Sequence, residues 1–272
     1  VGSVNANIGL IMAVSLLFLP HAFDKKAYLF KGITMILSIV ILFLMCLKGY
    51  LNAYLSIILL VVFLVFMAEN IIVGKKEATK NKLVGNGTNP ASVNANDNPA
   101  ESGNATAEST NTDAASAKKQ KTKDIAKSII FFILGTAFIV GGAQHLVTFG
   151  SKLAGYMGVP ERIVAITLVA IGTSLPELVT TITSIIKKKH DLSIGNIIGA
   201  NVIDLCLILP VCAMISGGRL PVEFNSLYID MPFCIGFTLL AILPAVITKK
   251  FSRVQGGVIL ATYVAYMTVS IV

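Results

Sequence analysis

Two carboxylates stand in surroundings that disfavour charge. Glu177 closes the stretch IGTSLPE (171–177) inside one apolar run, and Asp204 closes SIGNIIGANVID (193–204) inside the next. An ionised acid in hydrocarbon costs about 2.5–3.5 kcal/mol on insertion scales. Each acid must therefore meet a cation, a proton or a hydrogen-bond donor inside a bundle. The residues before Glu177 supply matching chemistry. Pro176 has no N–H and crowds the preceding turn, which frees carbonyls near Gly172 and Thr173. Thr173 and Ser174 add hydroxyls. A carboxylate, two hydroxyls and loose carbonyls in one turn are hard oxygen ligands, suited to Na⁺ or Ca²⁺ and not to Zn²⁺ or copper.

The other polar residues in apolar runs read differently. Asn196 and Asn201 lie on the face of Asp204 or a small rotation from it. Either asparagine alone reads equally well as polar glue between helices. Gly195 and Gly199 share a helix face and predict close helix contact. Gln144 and His145 read as helix-packing residues, and Glu69 and Asp230 as interfacial residues near span ends. Cys46, Cys206, Cys212 and Cys234 show no metal-ligand spacing and read as buried small hydrophobes.

The elements that position Glu177 and Asp204 must live in a membrane. The chain is 55% hydrophobic and 13% charged, with a mean hydropathy of +0.80. A soluble domain of this length cannot hide that much apolar surface. Runs of about 20 apolar residues match the ~30 Å of hydrocarbon that a helix must cross, and a backbone in hydrocarbon pairs with itself as helix. The period-2 alternation of a membrane barrel is absent. The sequence predicts an all-α polytopic membrane protein with eight spans, at 3–20, 29–47, 53–73, 125–148, 161–186, 193–215, 227–247 and 254–271. The net charge of +8 reads as topogenic, with no nucleic acid as partner. If the polar stretch from Lys75 to Lys127 is cytoplasmic, all of the 22 Lys and Arg fall on that side except Lys48, Lys152, Arg162 and Arg219. That is the positive-inside bias. It predicts a multi-pass plasma-membrane protein with its C-terminus outside and membrane lipid around it.

Residues 74–124 break the apolar pattern. The segment is rich in Asn, Ala, Ser and Thr and reads as a disordered cytoplasmic linker. Its sequons at Asn86 and Asn104 are what this composition produces by chance. The linker separates three spans in 1–73 from five in 125–272. The two parts share a pattern. GANVIDLCLILP (199–210) aligns without a gap on GSVNANIGLIM (2–12), so that Gly199 matches Gly2, Ala200 matches Ser3 and Asp204 matches Asn7. By the span count the two segments run in opposite directions, which is the mark of an inverted-repeat transporter.

LVAIGTSLPELVTTITSIIKKKHDLSIGNIIGANVIDLCLIL (168–209) resembles the second α-repeat of sodium/calcium exchangers, in the cation/calcium antiporter superfamily. VGSVNANIGLIM (1–12) looks like the tail of the first α-repeat. The resemblance implies ten helices in two inverted halves of five, of which eight are present. It further implies an N-terminal truncation that removes two helices and an acid about as far upstream of Asn7 as Glu177 is of Asp204. By motif it assigns Glu177, Asp204, Thr173 and Ser174 as ion ligands, adds the Ala170 carbonyl, and brings Asn7 and Ser3 to the same site from the first repeat. Two departures stand out. Ala200 replaces the family's serine, which takes a hydroxyl from one Na⁺ position, and Val4 and Asn5 stand in swapped order.

The implied activity is antiport of Ca²⁺ against Na⁺ by alternating access at a midplane carboxylate site, with no catalytic residues and no cofactor. The transported ions are Na⁺ and Ca²⁺, with K⁺ a third candidate. The second-repeat position held by Asp204 is Asp in potassium-dependent and many microbial members. Asp204 either binds a cation or holds a proton, and the reading adopted is protonated and K⁺-independent. No G-x-x-x-x-G-K-[ST] is present for direct ATP drive. A proton/calcium antiporter is the alternative in the same class. An intramembrane aspartyl protease would need Tyr-Asp and Gly-x-Gly-Asp pairs, and neither occurs.

Overall fold

The computed structural model describes residues 1–18, 25–85, 110–187 and 190–271. Its helices are α1 (Gly2–Phe18), α2 (Lys25–Cys46), α3 (Ala53–Gly85), α4 (Thr110–Tyr156), α5 (Glu161–Thr173), α6 (Leu175–Ile186), α7 (Ser193–Ile215), α8 (Ser226–Thr248) and α9 (Arg253–Ile271). Two short strands, β1 (Tyr50–Asn52) and β2 (Arg219–Pro221), pair antiparallel with Leu51 opposite Leu220.

Among the described residues, six helices are long and apolar enough to cross a membrane, or seven if α5 and α6, bent by 48°, count as one broken span. The expectation of eight is met only in part, because α1 is apolar but shorter than a span. The linker expectation also narrows. Helix α3 continues to Gly85 and α4 begins at Thr110, so both ends of 74–124 are helical. Asn86 and Asn104 lie outside the described residues.

The chain divides into two compact units, Val1–Glu69 with Ile139–Val272, and Asn70–Phe138. In the second, Ile129 to Leu134 are all exposed, as expected of a surface solvated by lipid. The first holds the core, in which Ile8, Met12 and Leu16 of α1 join Met35, Ile39 and Leu42 of α2 and Ile197 and Ile198 of α7. Helix α1 runs against α9, α2 against α8, and α6 against α7.

Close approach does not occur where the glycine spacing suggested. A Cβ at Gly195 or Gly199 would meet nothing within 4 Å. Tight crossings include Gly32, where a Cβ would lie 2.9 Å from Ile242, and Gly256, where it would lie 2.8 Å from the Ala13 carbonyl oxygen. Gln144 and His145 are exposed on α4 and do not pack between helices; His145 stacks on Phe149 of its own helix at 5.7 Å. Cys46, Cys206 and Cys234 are buried as expected, but Cys212 is exposed.

Pro244, inside α8, cannot donate to the Leu240 carbonyl one turn back. The amide of Gln255 takes up the loss, its Nε2 donating to the Leu240 carbonyl at 2.9 Å and to that of Ala241 at 2.7 Å. Gln255→Leu leaves the Leu240 carbonyl without its donor, while Ala241 keeps the Tyr28 hydroxyl at 3.2 Å, and is expected to destabilise the fold by about 1–3 kcal/mol. Thermal melting of the purified protein checks this, with Gln255→Glu as a second loss-of-donor variant.

Candidate functional site

The two acids lie where three helices converge. The segment that becomes α5 contains a π-helical stretch, Ala165–Val169, followed by a short α-turn, Ala170–Thr173. The helix then breaks at Ser174, whose backbone sits at φ −92° and ψ 3°. Pro176 falls in the first turn of α6, where its missing N–H has no helical partner to lose. The proline therefore starts the second arm and separates it from the first, as the sequence predicted, and Glu177 enters the first turn of α6.

Helices α1 and α7 supply the facing wall. Each contains a π-helical stretch at the matched position, starting at Asn7 in α1 and at Asp204 in α7. Such stretches recur at functional sites because the wider turn displaces side chains and loosens carbonyls.

Contacts across these helices bring most of the expected residues together. Ser174, buried on the break, faces Ser3 with the two hydroxyl oxygens 3.2 Å apart, and its Oγ also donates to the Ser3 carbonyl at 3.4 Å. Asp204 follows Asn201 by one turn along α7. Asn7 donates through Nδ2 to Asn201 Oδ1 at 2.9 Å. Ala170 is buried against Gly2. Two acceptor oxygens, Glu177 Oε2 and Asn7 Oδ1, are buried without a hydrogen-bond partner. Thr173 is the outlier: it is exposed, and its hydroxyl donates to the carbonyls of Val169 at 2.9 Å and Ala170 at 3.1 Å. It thereby orients the Ala170 carbonyl and keeps only its lone pairs free.

Asn196 and Asn201 separate cleanly. Asn196 is exposed and donates to Thr180 Oγ1 at 2.8 Å, joining α7 to α6. Asn201 is fully buried and belongs to the site wall.

Sequence reasoning missed two features. Thr181 follows Glu177 by one turn on the same face of α6, is fully buried, and its hydroxyl has no partner. Its i, i+4 relation to the acid was the available signal. The second miss is Asp230, expected at the interface and found buried. Arg162 Nη2 approaches its Oδ1 at 3.3 Å. Glu69, given the same interfacial reading, is half-buried with one unpartnered carboxylate oxygen.

The family model for the sodium/calcium exchanger protein matches residues 127–272, more than half of the chain. Sodium/calcium exchanger MaX1 of Methanosarcina acetivorans is 33% identical over 144 residues, which cover 53% of this chain and 41% of that protein. An uncharacterized membrane protein of Methanocaldococcus jannaschii, MJ0091, is 25% identical over 264 residues, covering 97% of this chain and 72% of its own length. The chain thus spans less than half the length of the exchanger from Methanosarcina. Among solved structures, the sodium-calcium exchanger NCX_Mj soaked with Na⁺ and Sr²⁺ shares the fold, with a TM-score of 0.66 at 24% identity over 98% of this chain and 73% of that one. The site's two acids lie within the span of the family match, and the chain belongs to the sodium/calcium exchanger family.

Proposed function

We propose that this protein is a sodium/calcium antiporter that binds Ca²⁺ or Na⁺ in turn at a single oxygen site near the membrane midplane. The observation that carries the reading is the pair of buried, unpartnered acceptor oxygens, Glu177 Oε2 and Asn7 Oδ1, beside the Ser3–Ser174 hydroxyl pair. A buried acceptor without a donor costs about 1–3 kcal/mol, and a hard cation removes that cost. Glu177 brings charge, and Asp204, protonated on this reading, brings a hydrogen-bonding carboxyl. Ser3, Ser174, Asn7 and the Ala170 carbonyl, held by Thr173, bring neutral oxygens. Ca²⁺ and Na⁺ need the same Glu177 carboxylate, so they compete, and a Na⁺ gradient drives Ca²⁺ the other way.

The architecture behind this reading is an inverted repeat. Its support is the matched start of the π-helical stretches at Asn7 and Asp204. The proposed placement is the plasma membrane, with the lysine-rich side cytoplasmic.

The test is Ca²⁺ flux in vesicles reconstituted with the complete protein. Uptake that follows an imposed Na⁺ gradient is the expected result. Uptake that follows a pH gradient and ignores Na⁺ would replace the reading with proton/calcium exchange. Asp204→Asn refines it. If Asp204 holds a proton and donates a hydrogen bond, Asn substitutes for it. Most of the Na⁺-driven flux is then retained at every pH and is indifferent to K⁺. A sharp fall, or loss of a K⁺ requirement present in the wild type, would make Asp204 a charged cation ligand.

A further inference from the structure

Four π-helical stretches occur among the described residues, and three of them mark proposed ion ligands. The first starts at Asn7, the second runs into Ala170 and the third starts at Asp204. The fourth, Ser226–Asp230, ends on an acid that the ion site does not use.

Asp230 is buried and fully paired. Its Oδ1 receives Arg162 Nη2 at 3.3 Å and the Tyr266 hydroxyl at 3.1 Å. Its Oδ2 receives the Ser226 hydroxyl at 3.0 Å, and its backbone carbonyl receives Asn5 Nδ2 at 3.0 Å. One aspartate thus joins α1, α5, α8 and α9. Arg162 lies in the first turn of α5, the helix that ends at Thr173, and Asn5 lies between Ser3 and Asn7. The knot is therefore tied directly to both walls of the ion site. Arg162 also has a second acid within reach: its Nη1 is 4.0 Å from Glu223, whose side chain is 77% exposed.

A buried ion pair adds little net stability over a well-packed apolar pair, and its best-attested role is to fix register or to switch. In membrane helices, ionisable residues mark function by default. Arg162 thus reaches a buried acid through Nη2 and an exposed one through Nη1, so either acid alone can hold it.

We propose that Arg162 and Asp230 are a positioning pair for exchange, holding α5 against α1 in one of the two alternating-access states and releasing, with Arg162 passing to Glu223, in the other. The pair contacts no transported ion. It acts through the placement of Ala170 and Ser174 against Gly2 and Ser3. This rests on the antiport reading for its role, although the lock itself is testable without transport.

The decisive variant is Arg162→Gln with Asp230→Asn, which removes both charges and leaves no buried ion unpaired. Tyr266→Phe, which keeps both charges and removes one hydrogen bond, is the milder companion. Hydrogen–deuterium exchange needs no transported ion. The amides of 163–173 are expected to exchange at least tenfold faster in the double variant, and less so in Tyr266→Phe, with those of α2 unchanged. No local change, or the same acceleration in every helix, overturns the lock. In vesicles, the ratio of the apparent KM for Ca²⁺ on the 216–225 side to that on the opposite face should shift at least threefold, because apparent affinity scales with the population of the competent state. A purely structural pair moves both values together, and an unchanged ratio overturns the proposal. If the double variant does not insert, Tyr266→Phe decides by the same two readouts. A wild type that moves no Ca²⁺ refutes the antiport reading, and the exchange measurement then decides the lock alone.

Discussion

Glu177→Gln in the complete protein is expected to abolish the proposed calcium transport while the protein still inserts and folds. Glutamine keeps the size of the side chain and removes its charge, and Ca²⁺ sites are tuned over several orders of magnitude by ligand charge. Removing the Glu177 charge is expected to lower Ca²⁺ flux on the order of a hundredfold or more. Packing should register little, because Glu177 is half-buried at the start of α6 and one of its carboxylate oxygens makes no hydrogen bond. Flux into Na⁺-loaded vesicles measures the first claim, and circular dichroism with gel filtration measures the second. Wild-type flux from the variant would remove Glu177 from the ligand set.

Gly256→Val is expected to prevent stable folding altogether. A Cβ at Gly256 would sit 2.8 Å from the Ala13 carbonyl oxygen and 3.1 Å from the Leu17 nitrogen. Both are backbone atoms of α1, so no rotamer change relieves the clash and the two helices must separate. Overpacking typically costs about 1–3 kcal/mol even where side chains yield. Here the displaced helix also carries Ser3 and Asn7. Gly257 provides the control, since a Cβ there meets nothing within 4 Å. Gly257→Ala should melt at or above the wild-type temperature, Gly256→Ala well below it, and Gly256→Val should yield no monodisperse protein. Equal behaviour of the two alanine variants would show that the α1–α9 crossing tolerates expansion.

The contrast between Gly256 and Gly195 shows where the sequence was legible. Apolar run length located the helices, since hydrocarbon thickness constrains each segment by itself. The breaking of a helix by Pro176 and the exclusion of lone acids from lipid are also local rules, and they led to the Ser174 break and to Glu177 and Asp204. Helix crossings are not local. Gly195 and Gly199 have the spacing for contact, yet nothing approaches them, while Gly256 has no motif and meets α1 backbone to backbone. Asp230 failed for the same reason. Its position near a span end suggested water, and only the fold reveals Arg162 and Tyr266 beside it. Gln255 likewise could not be matched to Pro244 without knowing that α9 returns along α8.

The small ribbon at one end of the bundle bears on the order of assembly. Its strands, Tyr50–Asn52 and Arg219–Pro221, are contributed by the first and last thirds of the chain. The flanking backbone extends the join, with Ala53 N–H donating to the Gly218 carbonyl at 2.9 Å and Val222 N–H to the Gly49 carbonyl at 2.9 Å. Gly217 and Gly218, at φ +81° and +93°, make the turn that presents the second strand. During synthesis the first strand leaves the ribosome long before its partner exists. Its edge stays open until α7 has been inserted, and it closes only when residues 219–221 reach the same side of the membrane. A nascent chain whose α7 enters in the wrong direction delivers that strand to the opposite face, leaving the early edge unpaired and visible to membrane quality control.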